Sequence, residues 1–311
     1  MESNMRRLLP YLSATGMALI FGFSFLFTKN ALETLDTFQL LFLRFLMAFI
    51  VMSLLVLFKI IKINFQGKNL KPLLLVAILQ PVIYFIMETF GLKHATSSEA
   101  GVMMAFIPVI VAVVGMIILK EKITQKQALS IVLSFMGVII LVVMSGKEET
   151  GGEFKGIMFL LGAVATAAFY NIYSRKASFQ FTPYEITYFM MLCGTVFFGL
   201  AAAVAGLING NISNLFVVDS TAFASLLYLG LLSSVGAFFM VNYTLSKIPA
   251  SQSAIFSNLI SVVSVFAGVM FRHEAFELYK MFGAVLIIAG VFGTNYFGSK
   301  DSEKCLEESF S

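Results

Sequence analysis

Two ionisable residues interrupt long apolar runs: Arg44 within Leu40-Leu-Phe-Leu-Arg-Phe-Leu-Met, and Glu88 within Tyr84-Phe-Ile-Met-Glu-Thr-Phe. If these runs are helices, Arg44 stands ~10 Å and Glu88 ~6 Å from the same end of the bundle, at 1.5 Å per residue. An ionisable group at such depth is costly in a bilayer and is a functional candidate by default. The two depths are compatible, so the pair could form an internal ion pair. Arg44 could instead clamp a substrate carboxylate or snorkel to the headgroups, and Glu88 could carry a proton.

Gln80, Tyr84 and Glu88 recur at i, i+4 and i+8, which sets them on one stripe of a helix. A polar stripe on a membrane helix faces protein or water, as a cavity wall or as interhelical glue. Pro81 removes a backbone donor beside Gln80, so a kink and a freed carbonyl are expected there. Asn171, between Tyr170 and Tyr173, is a further cavity candidate, as are Asn242 and Asn258. Ser253, Ser257, Ser261 and Ser264 beside Asn258, and Gly101, Ala105, Ala112 and Gly115, read as small faces for close helix packing. Ser130 with Gly137 and Gly283 with Gly290 read the same way.

The elements that must position these groups follow from composition. The chain is 59 % apolar and 12 % charged, with mean hydropathy +0.91. A soluble domain carries about 25 % charged residues, so this chain could not clothe a water-facing surface. The small net charge of +4 gives no nucleic-acid footprint. Cys193 and Cys305 stand far apart, and His94 and His273 read as helix-end residues, so neither a disulfide nor a metal site is expected. No phosphate loop or nucleophile–base motif occurs, and no cofactor is expected.

Crossing ~30 Å of hydrocarbon takes ~20 apolar residues, and only helices or closed barrels satisfy the backbone there. The long continuous runs predict helices over 11–28, 37–58, 71–92, 98–119, 125–145, 155–174, 183–208, 220–245, 251–271 and 277–297. The first is read as an uncleaved helix rather than a signal peptide. Asp36 with Gln39, Thr182 with Glu185 and Thr124 with Gln127 read as capping boxes, and Ser97 or Ser98 as a cap with Glu99 in the first turn. Glu121 and Glu274 are expected to cap or pair locally. With the N-terminus inside, the inner segments hold fourteen Lys and Arg and the outer ones six, which puts both termini in the cytoplasm.

The halves repeat. Residues 16–43 fall on 162–189 at an offset of 146, matching Lys29 with Arg175 and Ala31 with Ala177. Residues 90–142 fall on 243–295 at an offset of 153, matching Leu92 with Leu245, Ser98 with Ser251, Glu121 with Glu274 and Gly137 with Gly290. Five helices per copy is odd, so the second copy must enter the membrane inverted, as in many secondary transporters. The expected fold is therefore all-α and integral to the membrane: ten transmembrane helices in two five-helix inverted-topology repeats. The repeats are 1–145 and 155–298, joined by an outer loop 146–154 and followed by a polar, mobile cytoplasmic tail 299–311.

Both halves resemble the EamA-type repeat of the drug/metabolite transporter superfamily. The resemblance rests on Ala18-Leu-Ile-Phe-Gly22-Phe-Ser24-Phe, Thr28-Lys29 and Arg44. It continues through Gly91-Leu-Lys-His-Ala95-Thr-Ser-Ser-Glu99-Ala100, Pro108, Leu119-Lys-Glu121-Lys and Gly137, and in the second copy Leu245-Ser-Lys-Ile-Pro249-Ala-Ser251-Gln-Ser253, Glu274 and Gly290. It covers roughly 11–297. The chain departs from the family in having Phe21 where Trp is common, and Ser261 opposite Pro108. The resemblance implies a carrier with a central cavity that exports small metabolites, amino acids or related solutes, across the cytoplasmic membrane by alternating access. Its partners would be a small-molecule solute and the lipid bilayer, with protons as a coupling ion or with solute exchange, and as a monomer or a homodimer. The competing reading is a lipid-handling protein or membrane enzyme on the same scaffold.

Overall fold

The apolar runs have no polar alternation that a sheet could use, and they fold as helices throughout. The computed structural model describes the backbone of residues 2–119, 124–145, 152–210, 212–274 and 277–309. It describes side chains within 8–114, 124–144, 154–210, 212–274 and 277–296, leaving out those of 142 and 295. Eight helices are long and apolar enough to cross a membrane: α1 (Leu8–Ala31), α2 (Thr37–Leu57), α3 (Lys71–His94), α4 (Ser97–Val114), α6 (Phe154–Ala177), α7 (Pro183–Ile208), α8 (Ser220–Lys247) and α9 (Ala250–Arg272). Two shorter apolar helices complete the set, α5 (Gln125–Leu141) and α10 (Leu278–Thr294). Among the described residues there is no strand.

Four helices are irregular, and the irregularities repeat. α3 carries a π-helical stretch, Ile78–Tyr84, around Pro81, whose missing N–H explains the lost regular ladder. α8 carries one over Tyr228–Ala237. The offset of 153 carries residues 78–84 onto 231–237, inside the second stretch. α4 breaks between Ser97–Met104 and the helix resuming at Ile107, and α9 between Ala250–Ala254 and Ser257–Arg272.

The helix faces pack where small residues allow it. A Cβ on Gly101 of α4 would collide with Ser264 of α9, and Ser261 Oγ donates to the Gly101 carbonyl oxygen. On the α5–α10 seam a Cβ on Gly137 would lie 2.7 Å from the Gly283 carbonyl oxygen. Such close approach is how membrane helices gain contact without a hydrophobic driving force.

Helix starts correct two expectations. The Thr182–Glu185 capping box is present, with Pro183 in the first turn. Asp36, however, makes no side-chain cap bond. Gln39 instead donates to the carbonyls of Asn214, Leu215 and Val217 after α7. The cap of α4 is Thr96 rather than Ser97 or Ser98, in a reciprocal box with Glu99. Ser97 and Ser98 N–H groups, and Ser98 Oγ, donate to Glu274 from beyond α9. Glu274 therefore pairs across the two halves, not locally. Thr124 Oγ1 accepts from Gln127 N, half of its expected box.

Glu121 and most of 146–154 lie outside the described residues, as do the side-chain surroundings of Gly115 and Cys305. The final helix continues as backbone to Ser309. The Glu, Lys and Leu of 303–308 are good helix formers.

Candidate functional site

A cavity of about 640 Å³ of atom-free space opens between α1, α2, α3, α4, α6, α8 and α9. Its polar lining is Ser24, Arg44, Gln80, Tyr84, Glu88, Tyr170, Asn171, Ser253 and Ser257. The rest is apolar: Met17, Phe21, Phe25, Phe85, Met104, Ile107, Ala167, Phe238, Val241, Ala254 and Ile260.

The lining is two-fold in sequence. At the offset of 146, Phe21, Ser24 and Phe25 correspond to Ala167, Tyr170 and Asn171. At 153, Phe85, Glu88, Met104 and Ile107 correspond to Phe238, Val241, Ser257 and Ile260. All fourteen residues line the cavity. Met104 with Ile107, and Ala254 with Ser257, flank the breaks in α4 and α9, so both interruptions face the same space.

Arg44 is 1 % exposed and Glu88 2 %. They do not form the ion pair that their depths allowed: among the described residues, no Arg44 nitrogen comes within 4.0 Å of a Glu88 carboxylate oxygen. Nor does Arg44 snorkel outward. Its Nε donates to Ser234 Oγ at 2.9 Å and its Nη2 to Ser233 Oγ at 2.8 Å, both from the π-helical stretch of α8. The guanidinium lies 4.3 Å from the centroid of the Phe85 ring, a cation–π contact. Glu88 interacts with Tyr84, one turn away on the stripe, while its Oε2 has no hydrogen-bond partner. Gln80 Oε1, also buried, has none either.

Five of the seven sequence candidates thus share one wall system: Arg44, Gln80, Tyr84, Glu88 and Asn171. Asn171 Nδ2 donates to the Ala167 carbonyl. Asn242 does not line the cavity. It is a buried junction, accepting from Tyr170 (2.9 Å) and Ser174 (2.7 Å) and donating to Thr187 (3.0 Å), which ties α6, α7 and α8. Asn258 also stands outside the lining, with its buried Oδ1 unpartnered. Ser253 and Ser257 line the cavity, whereas Ser261 and Ser264 serve the packing expected of the whole series. Ser233 and Ser234 escaped sequence reading, because serine in a membrane helix reads as a packing residue. The offset of 153, which carries Gln80 onto Ser233, was the available signal.

A second polar cluster stands at helix ends, outside the cavity lining. Lys280 pairs with Glu99 at 3.0 Å, Lys29 donates to the Leu92 and Ala95 carbonyls, and Arg272 bonds Asn30 and Glu33.

Comparison with known proteins agrees with this architecture. The EamA-like transporter family matches residues 8–143 and again 154–296. The uncharacterized transporter YcxC of Bacillus subtilis (strain 168) is 35 % identical over 287 residues, covering 92 % of each chain. A probable terminal-alkyne amino-acid exporter of Streptantibioticus cattleyicolor is 23 % identical over 212 residues, 68 % of each chain. A chain of a solved crystal structure superposes with a TM-score of 0.60 at 16 % identity, covering 91 % of this chain and 95 % of that one. With both halves matched, and helices long enough to cross a bilayer many times over, the chain is a multi-pass membrane protein that belongs to the EamA-like transporter family.

Proposed function

We propose that this chain is a secondary carrier that exports small metabolites, amino acids or related solutes, across the cytoplasmic membrane by alternating access. In this reading ten helices cross the bilayer as two inverted five-helix repeats, with both termini in the cytoplasm. The observation that carries it is the paired lining of the cavity. Sequence-equivalent residues of the two halves face one space, and a break in α4 and another in α9 flank it. Discontinuous helices meeting between repeats supply the site and the hinge that rocking needs. A solute held there contacts both halves, so their relative motion exposes it to one side and then the other.

The polar groups support a solute with charged or hydrogen-bonding functions. Arg44 offers a cation, Glu88 and Gln80 unpartnered oxygens, and Asn171 an amide. The relative described as an amino-acid exporter supports the solute class. Coupling would come from an ion gradient, with Glu88 as the proton site, or from exchange. A cavity walled by both halves favours a carrier over the lipid-handling alternative, for which a groove open to one leaflet would be expected.

The test is a metabolite panel on cells expressing the wild type or Glu88→Gln, with solutes measured inside and outside by mass spectrometry. One solute class moving outward with the wild type supports the proposal, and its failure in the variant assigns Glu88 a role. Correctly inserted protein that changes no solute overturns it.

A further inference from the structure

A second pocket, of about 750 Å³ of atom-free space, lies among the start of α2, the end of α3 and the end of α7. It shares no lining residue with the central cavity. Three ends of membrane-crossing helices meet here, so the pocket stands at the level of the lipid headgroups. One wall is fastened in place. Gln39 donates to the Asn214, Leu215 and Val217 carbonyls, and Gln39, Asn214 and Leu215 all line the pocket.

The lining carries both signs of charge. Lys93 and Asp36 line it, and neither makes an ion pair within 4.0 Å among the described residues. Thr37 also lines it and is only 6 % exposed, yet its Oγ1 has no hydrogen-bond partner. Asp36 makes no side-chain cap bond, so the first N–H groups of α2 stay open to an anion. The other walls are apolar. Phe38 and Phe90 meet edge to face, 5.9 Å between centroids. Ala202, Ala205 and Gly206 share one face of α7 and leave a trough, since none has a side chain larger than a methyl group. Val204, Leu207 and Ile208 beside them are more than half exposed, so the trough adjoins lipid.

An anion alone would sit against Asp36, and a cation alone against Lys93. A ligand with both charges at one end and an apolar chain at the other answers the whole lining. We infer that the pocket seats a phosphatidylethanolamine as a resident lipid. Its phosphate meets Lys93, the Thr37 hydroxyl and the start of α2, its ammonium group meets Asp36, and an acyl chain lies in the α7 trough. Phosphatidylglycerol brings no cation to Asp36, and the methyl groups of phosphatidylcholine block hydrogen bonds from its own. The inference needs the chain only to cross the membrane, so it stands apart from the carrier reading.

Native mass spectrometry on the purified, delipidated full chain measures the affinity of the first lipid bound. The probes are the dioleoyl forms of phosphatidylethanolamine, phosphatidylcholine and phosphatidylglycerol, with glycerophosphoethanolamine as the headgroup without chains. The wild type should bind phosphatidylethanolamine at least about tenfold more tightly than either other lipid, the loss expected for one charge-assisted hydrogen bond. Glycerophosphoethanolamine should bind more weakly still. Asp36→Asn should bring phosphatidylethanolamine level with phosphatidylcholine. Lys93→Gln should weaken all three lipids, since all carry the phosphate. Both residues are exposed, so both variants should fold, and the melting point without lipid checks this.

Equal affinity for the three lipids in the wild type overturns the inference. So does a preference for phosphatidylethanolamine that survives Asp36→Asn, or a Lys93→Gln variant that binds every lipid as the wild type does, since either puts the lipid elsewhere. Glycerophosphoethanolamine binding as tightly as the whole lipid would mark a site for soluble phosphate esters and overturn the lipid's seat.

Discussion

Lys29 and Arg175 make the same contact in the two halves. Lys29 Nζ donates to the Leu92 carbonyl at 2.9 Å, and Arg175 Nη1 donates to the Leu245 carbonyl at 2.6 Å. Both pairs match at the offsets of 146 and 153 read from the sequence. In each half a cation near the end of one helix satisfies a carbonyl in the last turn of another, where unbonded oxygens and the helix dipole both favour positive charge.

Because Lys29 also bonds the Ala95 carbonyl at 2.6 Å, Lys29→Gln should lower stability by about 2 kcal/mol, the scale of a hydrogen bond to a charged group. Lys29→Arg should recover most of that loss. Thermal melting of the purified chain in detergent reads both, and Arg175→Gln should behave like Lys29→Gln.

Much of this was legible in the sequence, and for a specific reason. A bilayer demands long unbroken apolar runs, so helix positions could be read directly. Thr182 and Glu185 lie three residues apart, and their capping box needed nothing distant. Asp36 and Gln39 have the same spacing, but carbonyls beyond α7 captured Gln39, a contact no local pattern encodes. Arg44 shows the same limit. Depth made Glu88 its natural partner, yet the π-helical stretch of α8 presents two serines, and that geometry is written in no single residue. The stripe of Gln80, Tyr84 and Glu88 needed only helical periodicity, and it lines the cavity as spaced.

Glu88→Gln should leave the melting point unchanged or raise it. Its carboxylate is buried, has one unpartnered oxygen and forms no ion pair within 4.0 Å, so neutralising it removes a desolvation cost. Breaking a structural buried ion pair would instead cost about 3–5 kcal/mol. A large fall in melting point would show that Glu88 holds the fold together.

The Ser233→Ala, Ser234→Ala double variant frees the Arg44 guanidinium. Loss of two hydrogen bonds to a charged group should cost roughly 3 kcal/mol or more in stability. A solute clamped by Arg44 should also bind more weakly, seen as a raised half-saturating concentration in a transport assay. An unchanged concentration would separate Arg44 from recognition.

Glu274→Ala removes the acceptor for both the Ser97 and Ser98 N–H groups and for Ser98 Oγ. It should destabilise the chain by about 2 kcal/mol. Glu274→Gln should cost less, since an amide oxygen still accepts from backbone N–H groups. Gly137→Leu should cost about 1–3 kcal/mol by overpacking, because its side chain must enter the α5–α10 seam against the Gly283 carbonyl.

Alternating access is tested most directly by counterflow. The purified chain is reconstituted in sealed vesicles loaded with unlabelled solute from the active class, then diluted into trace labelled solute. A carrier that returns loaded predicts transient accumulation of label above its external concentration, abolished when the vesicles are empty. Label that only equilibrates, at a rate indifferent to solute on the far side, would contradict the carrier and point to a pore.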